Sequence, residues 1–195
     1  MKLLREYIRG LLTESIDTKI MKLIDRLEEN GWKIKLLRDR VILLDPGAVK
    51  IHGSLRWDTP EEYETEGYGS CHGANLVGSS SAVSGFGPIL YDVAIEMSGT
   101  SGLMSDRHSV SPSAAGVWDY YMRNRPDVQV IQMDNKKNLL TPNDGDNCDQ
   151  EVATLDVGTR MKHGWVDSSL SKIYKKAGTP VVDELARRGL LVRRR

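Results

Sequence analysis

The residues with the clearest chemical potential are Gly85-Phe86-Gly87-Pro88, which close a stretch of small residues and open the apolar run ILYDVAIEM. A glycine turn at a helix start leaves backbone N–H groups unpaired at the positive end of the helix dipole. Without side chains in the way an anion can come close, and phosphate is the natural guest. A P-loop is excluded, because the chain contains no G-x-x-x-x-G-K-[ST]. A dinucleotide fingerprint needs a third glycine and an early parallel βαβ unit, and neither is present. The plain alternative is a tight turn that holds nothing.

Other groups carry weaker signals. Cys71-His72 invites a cysteine-hydrolase reading, with His163 or His108 as base. Neighbours in a strand point to opposite faces, so His72 cannot serve Cys71, and a buried structural thiol is expected. Asp144, Asp146 and Asp149 could meet a hard cation, but their spacing is not that of an EF-hand and a solvated acidic turn is expected. Ser105-Asp106-Arg107-His108-Ser109 either lines a pocket or braces a loop through its Asp–Arg pair. Arg187, Arg188, Arg193, Arg194 and Arg195 make a basic C-terminus that could contact nucleic-acid phosphates, with a solvated tail as the expected state.

The elements that must position these residues follow from periodicity. Ile20, Met21, Ile24 and Leu27 mark one face of a helix over Asp17–Glu29, and Asn30-Gly31 is a fitting stop. Trp32 to Leu36 and Val41 to Leu44 read as strands. After Pro46-Gly47, the alternation of Val49, Ile51, Gly53, Leu55 and Trp57 with polar residues predicts a half-buried antiparallel strand. Residues 58–70 read as an acidic loop and Cys71–Ala82 as a strand. Proline at the first helical position then starts a helix with Ile89, Leu90, Val93, Ala94 and Met97 as its inward stripe. A short strand near Leu103 comes next. Ser111-Pro112 reads as the cap and first position of a helix to Asn124, followed by a strand over Val128–Ile131. Residues 134–150 read as loop, and a last helix covers Val181–Arg188. The class is α+β, a mixed or mostly antiparallel sheet flanked by helices.

Composition fits one globular domain: 39% hydrophobic and 28% charged side chains, with 18 glycines. Lys+Arg and Asp+Glu stand at 27 each, so no global field steers toward polyanions or polycations. No apolar run approaches the roughly 20 residues of a membrane helix, and no membrane partner is expected. Two cysteines without a C-x-x-C pair give neither a disulfide framework nor a zinc site, which makes a reducing intracellular setting the default.

Residues 1–14, MKLLREYIRGLLTE, form an amphipathic pattern broken by Gly10. Packing on the core is one reading. The segment also resembles the capsid-targeting sequences of tailed bacteriophages, which a maturation protease cuts after an apolar-x-Glu triplet. Leu12-Thr13-Glu14 matches the triplet, leaving Ser15 as the new N-terminus and residues 15–195 as the single domain.

The element order of that domain resembles the GNAT acyltransferase fold over residues 17–135. In that family the loop after the central strand carries [QR]-x-x-G-x-[GA], whose amides hold the coenzyme A pyrophosphate. The matching stretch is Ala82-Val83-Ser84-Gly85-Phe86-Gly87, with Ala82 in place of Gln or Arg. The family's Asn-x-x-Ala-x-x-x-Tyr corresponds to Ser111-x-x-Ala114-x-x-x-Trp118, with Tyr120 and Tyr121 just beyond. The core also resembles a phage-encoded acetyltransferase-like group. The resemblance implies an N-acyltransferase that uses acetyl-CoA and an amine acceptor of unknown identity. Val83, Ser84, Gly85, Phe86, Gly87, Ile89 and Ser111 would bind the cofactor. A backbone N–H near Leu76–Ser79 would polarise the thioester carbonyl. His72 or a loop carboxylate (Glu64, Glu66) would be the base, and Tyr120 or Tyr121 the acid. It implies location in the host cytoplasm or the virion interior, with the capsid interior and packaged DNA as further partners. A non-catalytic virion-internal or head-associated protein on the same fold is the alternative.

Overall fold

The computed structural model describes residues 16–47, 49–63, 71–106, 109–135, 147–148, 154–155 and 165–193. The elements are α1 (Thr18–Glu29), β1 (Lys33–Leu36), β2 (Arg40–Leu44), β3 (Ile51–Asp58), the single turn α2 (Pro60–Tyr63), β4 (Asn75–Ala82) and α3 (Gly87–Ser98). Next come β5 (Leu103–Met104), β6 (Ser109–Val110), α4 (Pro112–Asn124), β7 (Gln129–Gln132), β8 (Asp134–Asn135), β9 (Asn147–Cys148) and β10 (Thr154–Leu155). The last are β11 (Lys172–Lys175), α5 (Pro180–Arg187) and β12 (Leu191–Arg193). The class is α+β, as expected.

Eight strands form one mixed sheet in the order β12-β1-β2-β3-β4-β5-β11-β7. Two neighbour pairs are parallel, β12 with β1 and β4 with β5; the others are antiparallel. The β4–β5 ladder is short, pairing only Asn75 with Leu103 and Leu76 with Met104. Beyond Leu76, β4 continues to Ala82 bonded on its β3 side alone, so the sheet opens there.

Local chemistry explains most boundaries. The Asp17 carboxylate accepts from the amides of Lys19 (2.9 Å) and Ile20 (3.2 Å) and starts α1. Helix α1 buries Ile20, Leu23, Ile24 and Leu27. Helix α3 contacts β2, β3, β11, α1, α4 and α5 and is buried on nearly every side. The expected stripe is therefore too narrow, and Met97, placed on it by periodicity, is its exposed residue at 41%.

Being central, α3 also buries two carboxylates, Asp92 and Glu96. Buried charge needs partners. Asp92 pairs with Arg125 (2.5 Å) and Lys176 (2.8 Å), and Glu96 pairs with Lys176 (2.6 Å). Glu96 also accepts from the amides of Val181 and Val182, so it caps α5 from another helix. Asp127 closes the group on Arg125 (2.6 Å).

Several expectations are corrected. The strand read as Cys71–Ala82 begins at Asn75; Cys71–Gly73 is a 3-10 turn in which Cys71 (φ 41°) and His72 (φ 57°) adopt left-handed backbone. The opposite-face argument thus does not apply to this pair. Cys71 is disulfide-bonded and fully buried, not a free thiol. Within 58–70, Pro60–Tyr63 is helical. Among the described residues of the basic C-terminus, Leu191–Arg193 extend the sheet beside β1 and Arg188 bridges to Asp25, Glu28 and Glu184, so this part is not a solvated tail. Strand β11, next to the edge strand β7, has no counterpart in the sequence pattern. Residues 1–15, Glu64, Glu66, His108, Asp144, Asp146, Asp149, His163 and Arg194–Arg195 lie outside the described residues.

Candidate functional site

Where β4 parts from β5, a cavity of about 500 Å³ opens between the end of β4, the following turn and the first turns of α3 and α4. Ser80 to Gly85, Gly87 and Pro88 line one side, and Ser111, Ala114 and Val117 the other. Two helix N-termini therefore share one cleft.

The turn is built from local bonds. The Val83 amide donates to the His52 carbonyl (2.7 Å) and the Phe86 amide to the Val83 carbonyl (3.1 Å). Gly85 sits at φ +86°, a conformation that strains any residue with a Cβ. Phe86 occupies the N-cap of α3 but has no side-chain capping bond, and Pro88 follows in the first turn. Among the described residues nothing accepts from the amides of Ser84, Gly85 or Gly87. Val83 and Phe86, expected to offer amides to a ligand, have theirs committed to the turn. Ser111 caps α4 by accepting from the Ala114 amide (3.2 Å) and still lines the cleft.

A positive charge stands beside this turn. The Arg26 guanidinium lies over the Phe86 ring, 4.5 Å from its centroid. Its Nη1 is 3.5 Å from where a Cβ on Gly85 would project. Phe86 in turn packs on Trp32 (5.0 Å), which stacks on His52 (4.2 Å, 15°). Among the described residues no carboxylate pairs with Arg26.

A second cavity of about 270 Å³ adjoins the first and shares Ser80, Tyr91, Ser111 and Ala114 with it. Its wall is a β-bulge. The β3–β4 register pairs Arg56 with Ser79 and Trp57 with Val77, so Gly78 is the extra residue without a cross-strand partner. A Cβ on Gly78 would lie 2.4 Å from Asp58 Oδ2 and 2.9 Å from Arg56 Nη2, so any larger residue there would push these two side chains aside. Asp106 and Trp118 also line this pocket.

At the boundary of the two cavities, the hydroxyls of Tyr91 and Ser80 lie 2.9 Å apart. Tyr91 is 4% exposed, and burial pushes its phenol pKa up, with the Ser80 bond opposing and Asp106 adding to the rise.

The expected acids and bases are elsewhere. The Tyr120 hydroxyl donates to Asp17 Oδ1 (2.6 Å), and Lys19 covers its ring. Burial, then the Asp17 bond, holds its pKa well above the ordinary value. Tyr121 is fully buried, its one hydroxyl proton shared between Asp92 Oδ2 (2.8 Å) and the Pro88 carbonyl (2.9 Å). Neither tyrosine lines either cavity, nor does His72. Ser84, Gly85, Gly87 and Ser111 line one cavity, whereas Ile89 is fully buried in the core and does not line it. Arg26, Tyr91 and Ser80 were missed; no motif spacing links an α1 arginine or an α3 tyrosine to the turn.

Among the described residues no three His, Cys, Asp or Glu side chains cluster to hold a metal ion, and no helix is long and apolar enough to cross a membrane. Comparisons with protein families, curated proteins and solved structures find no significant match to this chain.

Proposed function

We propose that the protein is a coenzyme-A-dependent N-acyltransferase with a GNAT-like fold, in which an amine attacks the acyl thioester directly. The observation that carries this reading is the uncapped Ser84–Gly87 turn, opening on a cavity beside a bulged strand. The residues fit such a ligand. The amides of Ser84, Gly85 and Gly87 lack acceptors, and two helix dipoles converge on the same space as anion-favouring charge. The short parallel ladder between β4 and β5 supports the fold assignment, since it leaves room for an extended group along β4.

Acetyl-CoA, when bound, supplies the activated acyl carbon. The chain's residues do the rest. Ser84, Gly85 and Gly87 grip the diphosphate, while Arg26 adds a charge where Ala82 offers none. Amides at the Gly78 bulge donate to the acyl oxygen, and one such preorganised donor is commonly worth about 3 kcal/mol. No protein nucleophile takes part, in keeping with the buried, disulfide-bonded Cys71.

Calorimetry with coenzyme A tests the reading. Micromolar binding is expected, and Gly85→Val, which strains the turn and fills the cradle, should abolish it while the protein stays folded. Unchanged affinity in that variant overturns the proposal. A second reading, a non-catalytic virion protein on this fold, draws on Ala82 and Trp118 at positions where the family carries Gln or Arg and Tyr. It predicts no binding of coenzyme A by the wild type.

A further inference from the structure

If acyl transfer occurs in this cleft, a group must protonate the departing sulfur, and neither Tyr120 nor Tyr121 reaches the cavities. Trp118 holds the position where helix α4 would otherwise present a phenol. Its indole is 1% exposed, stacked on Tyr174 (4.8 Å) and meeting the edge of Tyr91 (4.9 Å, 84°). That contact packs Tyr91 of α3 against the wall of the cleft. Its hydroxyl ends at Ser80 Oγ, 2.9 Å away, and both residues line both cavities. The phosphate-binding turn lies on one side of this pair and the Gly78 bulge on the other. A thioester whose diphosphate rests on the turn and whose carbonyl rests at the bulge must carry its sulfur past the pair.

We propose that the Tyr91 hydroxyl, held by Ser80, is the catalytic group that donates a proton to the departing sulfur; this inference rests on the acyltransferase reading. The bonds balance without a further reactant. The amine nitrogen bonds to the acyl carbon as the carbon–sulfur bond breaks, and the electron pair leaves on sulfur. Sulfur takes the phenol proton, the amine's surplus proton passes to water, and the phenolate is reprotonated from solvent on the exposed Ser80 side.

The test compares binding of coenzyme A and desulfo-coenzyme A by calorimetry at pH 9, where part of the free thiol is ionised and the thiolate is available to bind. Wild type should prefer coenzyme A by about tenfold, the size of one hydrogen bond to a charged acceptor. Tyr91→Phe, which keeps the ring against Trp118, should bind both compounds equally. Ser80→Ala should narrow the preference without removing it, and Tyr120→Phe should leave it intact. Equal affinities in wild type, or a preference that survives Tyr91→Phe, overturn the role of Tyr91 while leaving the acyltransferase reading standing. Failure of wild type to bind either compound overturns that reading itself.

Discussion

Arg26 illustrates how a single side chain can supply what a motif lacks. It sits on α1, almost sixty residues before the turn, yet its guanidinium rests on Phe86 beside Gly85, next to the amides proposed to hold the diphosphate. A hydrogen bond to a charged group contributes about 1.5–3 kcal/mol, so Arg26→Ala should weaken coenzyme A binding roughly tenfold or more. The variant should also flatten the salt dependence of binding, because one exposed charge no longer contributes. Titrations at two salt concentrations measure both effects; equal slopes in the two proteins would remove Arg26 from the site. Gly85 and Gly87 were legible in the sequence because a glycine pair before a proline-led helix restricts the backbone locally. Arg26 and Tyr91 were not, since their roles depend on contacts between segments distant along the chain.

At the scale of elements, α3 connects the cleft to the core. Its N-terminus frames the turn, and its middle carries Asp92 and Glu96 into a buried charge cluster with Arg125, Asp127 and Lys176. Burial works against the charge on Lys176, but Asp92 and Glu96 outweigh it and raise its pKa. Removing one partner leaves the others buried without compensation. Lys176→Met should therefore cost about 3–5 kcal/mol in denaturant unfolding. A loss below 1 kcal/mol would mean that the carboxylates find water in its absence. Tyr121 belongs to this cluster through Asp92, so its phenol serves structure. Its sequence position beside Tyr120 gave no hint of this. Two tyrosines adjacent on a helix project about 100° apart, and only the packing decides which one is buried.

At the scale of the whole molecule, the cluster gives folding a pH dependence. Burial raises the Glu96 pKa from its ordinary 4.5 to about 6, against the opposing pulls of Lys176 and the Val182 and Val181 amides. The native state thus holds this proton more tightly than the unfolded chain. This contribution to stability is absent above pH 6 and gained as pH falls toward 4.5. At about 1.36 kcal/mol per pH unit, the gain is about 2 kcal/mol. Glutamine resembles the protonated acid, so wild type should gain that amount relative to Glu96→Gln between pH 7 and pH 4 in urea unfolding. A difference that stays flat across the range overturns the assignment.

The sequence by itself determined what depends on near neighbours. Helices α1, α3, α4 and α5, the β1–β3 meander and the glycine turn all follow from periodicity, caps and proline placement within a few residues. Tertiary structure alone decided the rest. Strand β11 reads as polar, KIYK, yet lies buried between β5 and β7 because Lys172 finds acceptors on Gln132 and the Val166 carbonyl. Strand β12 looks like a basic tail, but its backbone completes the open edge of β1. Cys71 reads as a strand thiol and is a disulfide-bonded turn residue. The cleft belongs with these, since its volume arises where β4 outruns β5, a mismatch of strand lengths that no local pattern of side chains encodes.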